Sequence, residues 1–181
     1  MSAELDGDRF TGPPRPQSTA PDLRFPLQGG GFWNLANQDP HSFTMVIFYR
    51  GRHCPVCRGQ LETVRAHLEQ MVRLGVDVVA VSADNEATAD RTRDEWDIAG
   101  VPLGYDLDLA TMRSWGLFVS SSTTREEPEH FSEPALFLVQ PDRAIYYAAL
   151  TSMPFGRPRL DELIGGMEFV LASSYPARGD A

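Results

Sequence analysis

Residues 45–81 read MVIFYRGRHCPVCRGQLETVRAHLEQMVRLGVDVVAV, and the way the hydrophobic period changes along this stretch decides the fold. Met45 to Tyr49 is a continuous apolar run with β-branched and aromatic members, which suits a strand covered on both faces. From Pro55 onward, Cys57, Leu61, Val64, Leu68 and Met71 recur at alternating spacings of four and three, one stripe of an amphipathic helix. Arg73 places a cation in its last turn, and Gly75 supplies a residue able to take positive φ just beyond. Val76 to Val81, VDVVAV, has the composition of a second buried strand. The order strand, helix, strand implies a right-handed βαβ unit with parallel pairing.

Working outward, Asp84 or Asn85 can cap a helix running to about Trp96. After Val101 to Tyr105, a short helix near Asp108 to Trp115 is stopped by Gly116. Ser120 to Glu133, SSSTTREEPEHFSE, breaks every period and predicts a long surface loop, or a short edge element followed by a loop. Pro134 to Gln140 and Ala144 to Leu150 are strand-like runs joined by Pro141, Asp142 and Arg143, and should pair antiparallel. A last helix carries Leu160, Leu163, Ile164, Met167, Val170 and Leu171 on one stripe, as a helix laid across a sheet face requires. Residues 1–20, acidic and then rich in proline and small polar residues, predict a flexible leader, and residues 175–181 a tail. Residues 21–174 then form a single domain, and no internal repeat is present.

Composition narrows the function classes. A net charge of −9 argues against an electrostatic grip on nucleic acid. No apolar run approaches the ~20 residues needed to cross a bilayer. The amino terminus lacks the basic start and apolar stretch of a secretory signal, so a cytoplasmic setting is expected. No phosphate-binding glycine motif is present and no cofactor is expected.

The two cysteines of the chain, Cys54 and Cys57, are spaced C-x-x-C at the carboxyl end of the first strand. A bridge closing so short a loop would constrain the unfolded chain little, so structure alone is a weak motive for the pair. With Pro55 at the first helical position, where a missing N–H costs nothing, Cys54 sits at the helix cap. There the free N–H groups and the helix dipole can stabilise a thiolate, lowering a pKa of ~8.5 toward ~3.5–7.5. Arg50, Arg52, Arg58 and a protonated His53 would push the same way, making Cys54 an exposed, low-pKa nucleophile. Residues three apart on a helix lie roughly 5–6 Å apart, so Cys57, on the buried stripe, can resolve a mixed disulfide or a sulfenic acid formed on Cys54. Two inert core cysteines would not explain Cys54 in a basic, proline-marked turn. Zinc wants four ligands, and His41, His53, His67 and His130 show no H-x-x-x-H spacing.

Five segments in order carry a resemblance: APDLRFPLQGGGFWNLA (residues 20–36), YRGRHCPVCRGQL (49–61), VSADN (81–85), GVPLGYDLDLATMRSWGL (100–117) and SEPALFLVQPDRAI (132–145). Together they resemble the alkyl hydroperoxide reductase / thiol-specific antioxidant (AhpC/TSA) superfamily, in its peroxiredoxin-like branch. The resemblance implies an α/β thioredoxin-like three-layer sandwich, with a central mixed sheet flanked by helices. It implies Cys54 as the attacking thiol, Cys57 as its partner and Pro134 as a cis-proline facing the site. Two positions depart from the family pattern. The P-x-x-x-T-x-x-C motif is matched by Ile47 and Gly51 in place of proline and threonine, and Pro134 stands where the family carries an arginine before a strand. In the family the threonine hydroxyl and that arginine orient and polarise the peroxide, so their replacement removes transition-state contacts.

Three functions are compatible with these residues. One is hydroperoxide reduction through a Cys54 sulfenic acid and a Cys54–Cys57 disulfide, regenerated by thioredoxin or another thiol reductant. A second is a thiol:disulfide oxidoreductase acting on protein disulfides, which Pro134 in the arginine's place favours. The third is a redox-sensing or binding domain that does not turn over. A homodimer is compatible with the sequence, which does not fix the oligomeric state.

Overall fold

The computed structural model describes residues 12–181; part of the expected leader, residues 1–11, lies outside the described residues. The centre is a five-stranded mixed sheet built from β3 (Phe43–Phe48), β4 (Val76–Val81), β5 (Leu103–Gly104), β8 (Ala135–Val139) and β9 (Ile145–Leu150). Its order is β5-β4-β3-β8-β9. β3 pairs parallel with β4, and β4 with β5, while β8 runs antiparallel to both β3 and β9.

The continuous apolar runs are explained by burial on both faces. In β3, Met45 and Ile47, followed by Tyr49, enter one core, and Val46 and Phe48 the other. The first core receives α1 (Pro55–Ala66), α2 (Leu68–Arg73), α3 (Glu86–Glu95) and α5 (Leu160–Ser173) through Leu61, Met71, Ala89 and Ile164. The second receives α4 (Leu109–Ser114) and an amino-terminal hairpin of β1 (Arg24–Pro26) and β2 (Phe32–Asn34), through Met112, Phe25 and Trp33. This is the expected α/β arrangement, a mixed sheet between helical layers.

Several local expectations change in detail. The single helix over residues 55–73 is two, broken at His67, which takes φ −109° and ψ 6°. The Val64, Leu68, Met71 spacing survives the break, so the sequence stripe carries no trace of it. Gly75 takes φ +70°, as its place after the helix requires. Asn85, not Asp84, caps α3 through Thr88 N–H, and Gly116 at φ +60° ends the short helix α4. The polar segment 120–133 folds into a two-stranded ribbon, β6 (Val119–Ser121) against β7 (His130–Ser132). Its few pairs are too short to show as a period.

The described end of the expected leader is docked on the turn between β8 and β9. Gln17 N–H donates to the Ile145 carbonyl at 2.7 Å and Ala20 N–H to the Arg143 carbonyl at 2.8 Å. The Ala177 carbonyl near the carboxyl end accepts from Gln17 Nε2 at 3.2 Å. Among the described residues, no helix is long and apolar enough to cross a membrane.

Candidate active site

β3 delivers the chain to Tyr49, and residues 50–54 then bend it onto α1. Gly51 makes the bend, with φ +132°, a conformation that side chains rarely adopt. The Asp84 carboxylate ties the loop to the end of β4, accepting from Arg52 N–H at 2.8 Å and from the Ser82 hydroxyl at 3.2 Å. Asp84 is buried, and that burial pushes its carboxyl pKa up against those two hydrogen bonds.

Cys54 is the N-cap of α1 and Pro55 its first residue, as expected. Cys54 Sγ accepts from Cys57 N–H at 3.2 Å and from the Cys57 thiol, with the sulfurs 2.6 Å apart. Both cysteines are free. The thiol hydrogen bond from Cys57 is the largest influence holding Cys54 down to a pKa of about 6, against burial, with help from the Cys57 N–H and the charges of Arg157 and Arg50. Cys57 is pushed strongly upward, first by burial and then by donating to Cys54. Above about pH 6 this arrangement favours one proton shared by the pair, with the negative charge on Cys54.

The expectation of an exposed Cys54 is corrected: it is only 1% exposed and Cys57 0%. Cys54 lies within the first core, and from the connection between β9 and α5, residues 151–159, Arg157 reaches over both sulfurs. Arg157 Nη2 lies 3.1 Å from Cys57 Sγ and 3.8 Å from Cys54 Sγ. Its Nε donates to the Pro154 carbonyl at 2.9 Å and its Nη1 to the Gln60 side chain.

The arginines near the motif serve other partners. Arg50 pairs with Glu133 at 3.3 Å and Glu127 at 3.8 Å, and its guanidinium lies 5.0 Å from the Phe131 ring centre. Its charge still reaches Cys54. Arg52 pairs with Glu95, and Arg58 with Glu62 at 2.7 Å on the exposed face of α1. His53 is not the protonated neighbour expected, because burial first and the Arg50 charge second hold its pKa below the usual value. Its ring packs edge-on to Phe131 and neither nitrogen has a hydrogen-bond partner. A polar cavity of about 760 Å³ opens beside it, lined in part by Arg50, Arg52, Asp84 and Glu127.

Pro134 follows a trans peptide bond, correcting the expected cis-proline. The chain passes extended from β7 to β8, with Glu133 N–H on the Phe118 carbonyl at 2.8 Å and the Pro134 carbonyl accepting from Thr151 N–H at 3.0 Å. Pro134 lines a small cleft with Gln60 and Arg157, so it borders the covering segment. Among the described residues no group of three or more His, Cys, Asp or Glu side chains is placed to hold a metal ion.

Sequence reasoning missed Arg157, Gln60 and Asp84. Arg157 lies 100 residues beyond Cys57, and its one local signal is its place between Gly156 and Pro158 in a proline-marked connection. Asp84 was read as a candidate cap; its position directly after a buried strand, beside a thiol loop, was the available clue.

Comparison with known proteins bears on the family and the fold. The profile of the AhpC/TSA family matches residues 16–148. Alkyl hydroperoxide reductase C of Escherichia coli strain K12 is 25% identical over 138 residues, covering 76% of this chain and 72% of that protein. The crystal structure of a peroxiredoxin-like protein from Aquifex aeolicus superimposes with a TM-score of 0.73 at 17% identity, covering 89% of this chain and 90% of that one. Mycobacterium bovis AhpC gives 0.73 at 15% identity, covering 94% and 99%. At such identities the two structures speak for the fold alone. The thiol pair capping a helix at the end of a central strand and the profile match over most of the sequence lead to one assignment: the chain belongs to the AhpC/TSA family, on a peroxiredoxin-like, thioredoxin-type fold.

Proposed function

We propose that this protein is a thiol-dependent oxidoreductase that reduces hydroperoxides. The Cys54 thiolate attacks the terminal peroxide oxygen, the O–O bond breaks, and the alcohol or water leaves, with Cys54 oxidised to a sulfenic acid. Cys57 then attacks Cys54 Sγ, the S–O bond breaks, water leaves, and a Cys54–Cys57 disulfide remains. An external dithiol such as thioredoxin restores both thiols. The observation that carries this reading is the free sulfur pair, 2.6 Å apart, with Cys54 lowered to about 6 at a helix cap. The two sulfurs are within a small approach of bonding distance.

A second reading, exchange with a partner's disulfide, is favoured by Gly51 and Pro134 in place of the family's threonine and arginine. Burial weighs against it. A sulfur that is 1% exposed is reached more readily by a small oxidant than by a disulfide held in another folded chain.

Rapid mixing of the reduced protein with hydrogen peroxide, and separately with a model protein disulfide, separates the two. Peroxide should consume the Cys54 thiolate at least tenfold faster than a free thiol of equal pKa, and Cys57→Ser should accumulate a trappable sulfenic acid. Ordinary free-thiol rates with peroxide alongside fast exchange with the disulfide would replace the first reading by the second.

A further inference from the structure

We propose that Arg157 serves the second half of the cycle, stabilising the negative charge that develops on Cys57 Sγ as it attacks oxidised Cys54. This rests on the cysteine cycle proposed above and assigns to one side chain a step that the C-x-x-C motif leaves without a helper.

In the reduced protein the Cys57 proton is directed at Cys54 Sγ, where it stabilises the thiolate. That arrangement suits the first attack and opposes the second. Once Cys54 carries oxygen its charge is gone, and Cys57, buried to 0% exposure, must give up its proton in an apolar surrounding that disfavours a thiolate. The balance of the step is fixed: the Cys57 sulfur supplies the electron pair of the new S–S bond, the S–O bond of the sulfenic acid breaks, and the Cys57 proton leaves with the hydroxide as water. Negative charge builds on Cys57 before that bond is complete.

A cation is already in place for it. Arg157 Nη2 stands nearer to Cys57 Sγ, at 3.1 Å, than to Cys54 Sγ, at 3.8 Å. The other two nitrogens of the guanidinium are fixed by the Pro154 carbonyl and by Gln60, on the first turns of α1, so the fork meets the sulfurs in one orientation. Arg50, Arg52 and Arg58 are each paired with a carboxylate. Among the described residues no carboxylate pairs with Arg157, and its charge is left for the sulfurs. A charge-assisted hydrogen bond to sulfurs as buried as these is stronger than the same contact on a surface.

The test begins without turnover. In a Cys54→Ser background Cys57 is the single thiol and faces a neutral neighbour, as it does after Cys54 is oxidised. Its ionisation is followed by the ultraviolet absorbance of the thiolate against pH, with Arg157 intact, with Arg157→Lys and with Arg157→Gln. Circular dichroism confirms that each variant is folded, and the lysine variant keeps the charge if glutamine disturbs the connection. Arg157→Gln should raise the midpoint by about one unit or more, a tenfold loss of thiolate, with lysine in between; an unchanged midpoint overturns the proposal. With both cysteines restored, Arg157→Gln should slow disulfide formation about tenfold more than it slows sulfenic acid formation, so that the trapped sulfenic acid accumulates. Equal slowing of both steps, or slowing of the first alone, would place Arg157 on Cys54 and overturn the proposal. Absence of any sulfenic acid in the unsubstituted protein would sink the peroxidase reading, while the thiolate titration would still decide whether Arg157 acts on Cys57.

Discussion

Gly51 occupies the position where the family pattern carries a threonine, and the structure shows why the side chain cannot simply be put back. Its φ is +132°, and a Cβ there would lie 2.8 Å from Asp84 Oδ1 and 3.1 Å from His53 Nδ1. The loop before Cys54 has therefore exchanged a hydroxyl for a close approach to a buried carboxylate. Gly51→Thr should destabilise the protein by roughly 1–3 kcal/mol from backbone strain alone, with the clash adding to it. Urea unfolding of reduced protein measures the loss, and a midpoint equal to that of the unsubstituted chain would contradict the tight approach. The sequence displayed the departure at Gly51; that Asp84 fills the space could not be read, because the contact joins the ends of two different strands. His53 shows the same limit. It was counted as a protonated neighbour of Cys54, but burial first and the Arg50 charge second favour the neutral ring.

At the scale of the element, α1 joins a cap, a proline at its first position and a buried stripe, all of which were legible. Local chemistry suffices for them: the cap needs free N–H groups, proline needs a position without an amide bond, and the stripe needs a 3.6-residue period. The consequence is a titration. The thiolate is the reactive form, so alkylation of Cys54 by a small haloacetamide should accelerate as pH rises through about 6 and level off above it; an unperturbed thiol would still be gaining at ~8.5. Cys57→Ala removes the largest stabilising contact and should move the midpoint upward. A midpoint near 8.5 in the unsubstituted protein would refute the capped-thiolate account. The interruption at His67, and the return strand β7 that pairs with the short edge element allowed for this segment, escaped sequence reading for a related reason. The first keeps the helical spacing of its flanks, and the second is three residues long, below the length at which alternation shows.

For the whole molecule, the sheet separates two cores, and the thiols belong to only one of them. Phe137, 0% exposed, packs between Phe48 and Trp115 on the face away from Cys54, with ring centres 5.9 Å and 4.9 Å distant. Phe137→Ala should cost about 3–5 kcal/mol in urea unfolding while leaving the Cys54 titration midpoint in place. A midpoint that moved with it would show that the two layers are not independent supports of the site. The sequence alone determined the βαβ unit around the motif, the β8–β9 hairpin, the packing face of α5 except for Leu171, which is exposed, and the pairing of a capped Cys54 with a stripe-buried Cys57. Each of these is a matter of residue spacing along one stretch of chain. Only the tertiary structure decided that the thiols lie covered, that Arg157 and not the arginines of the motif stands over them, that the neighbouring arginines are drawn off by Glu62, Glu95, Glu127 and Glu133, and that the bond before Pro134 is trans. These depend on which distant segments the sheet order brings together, and charge and burial act through distance in space, which spacing along the chain does not encode.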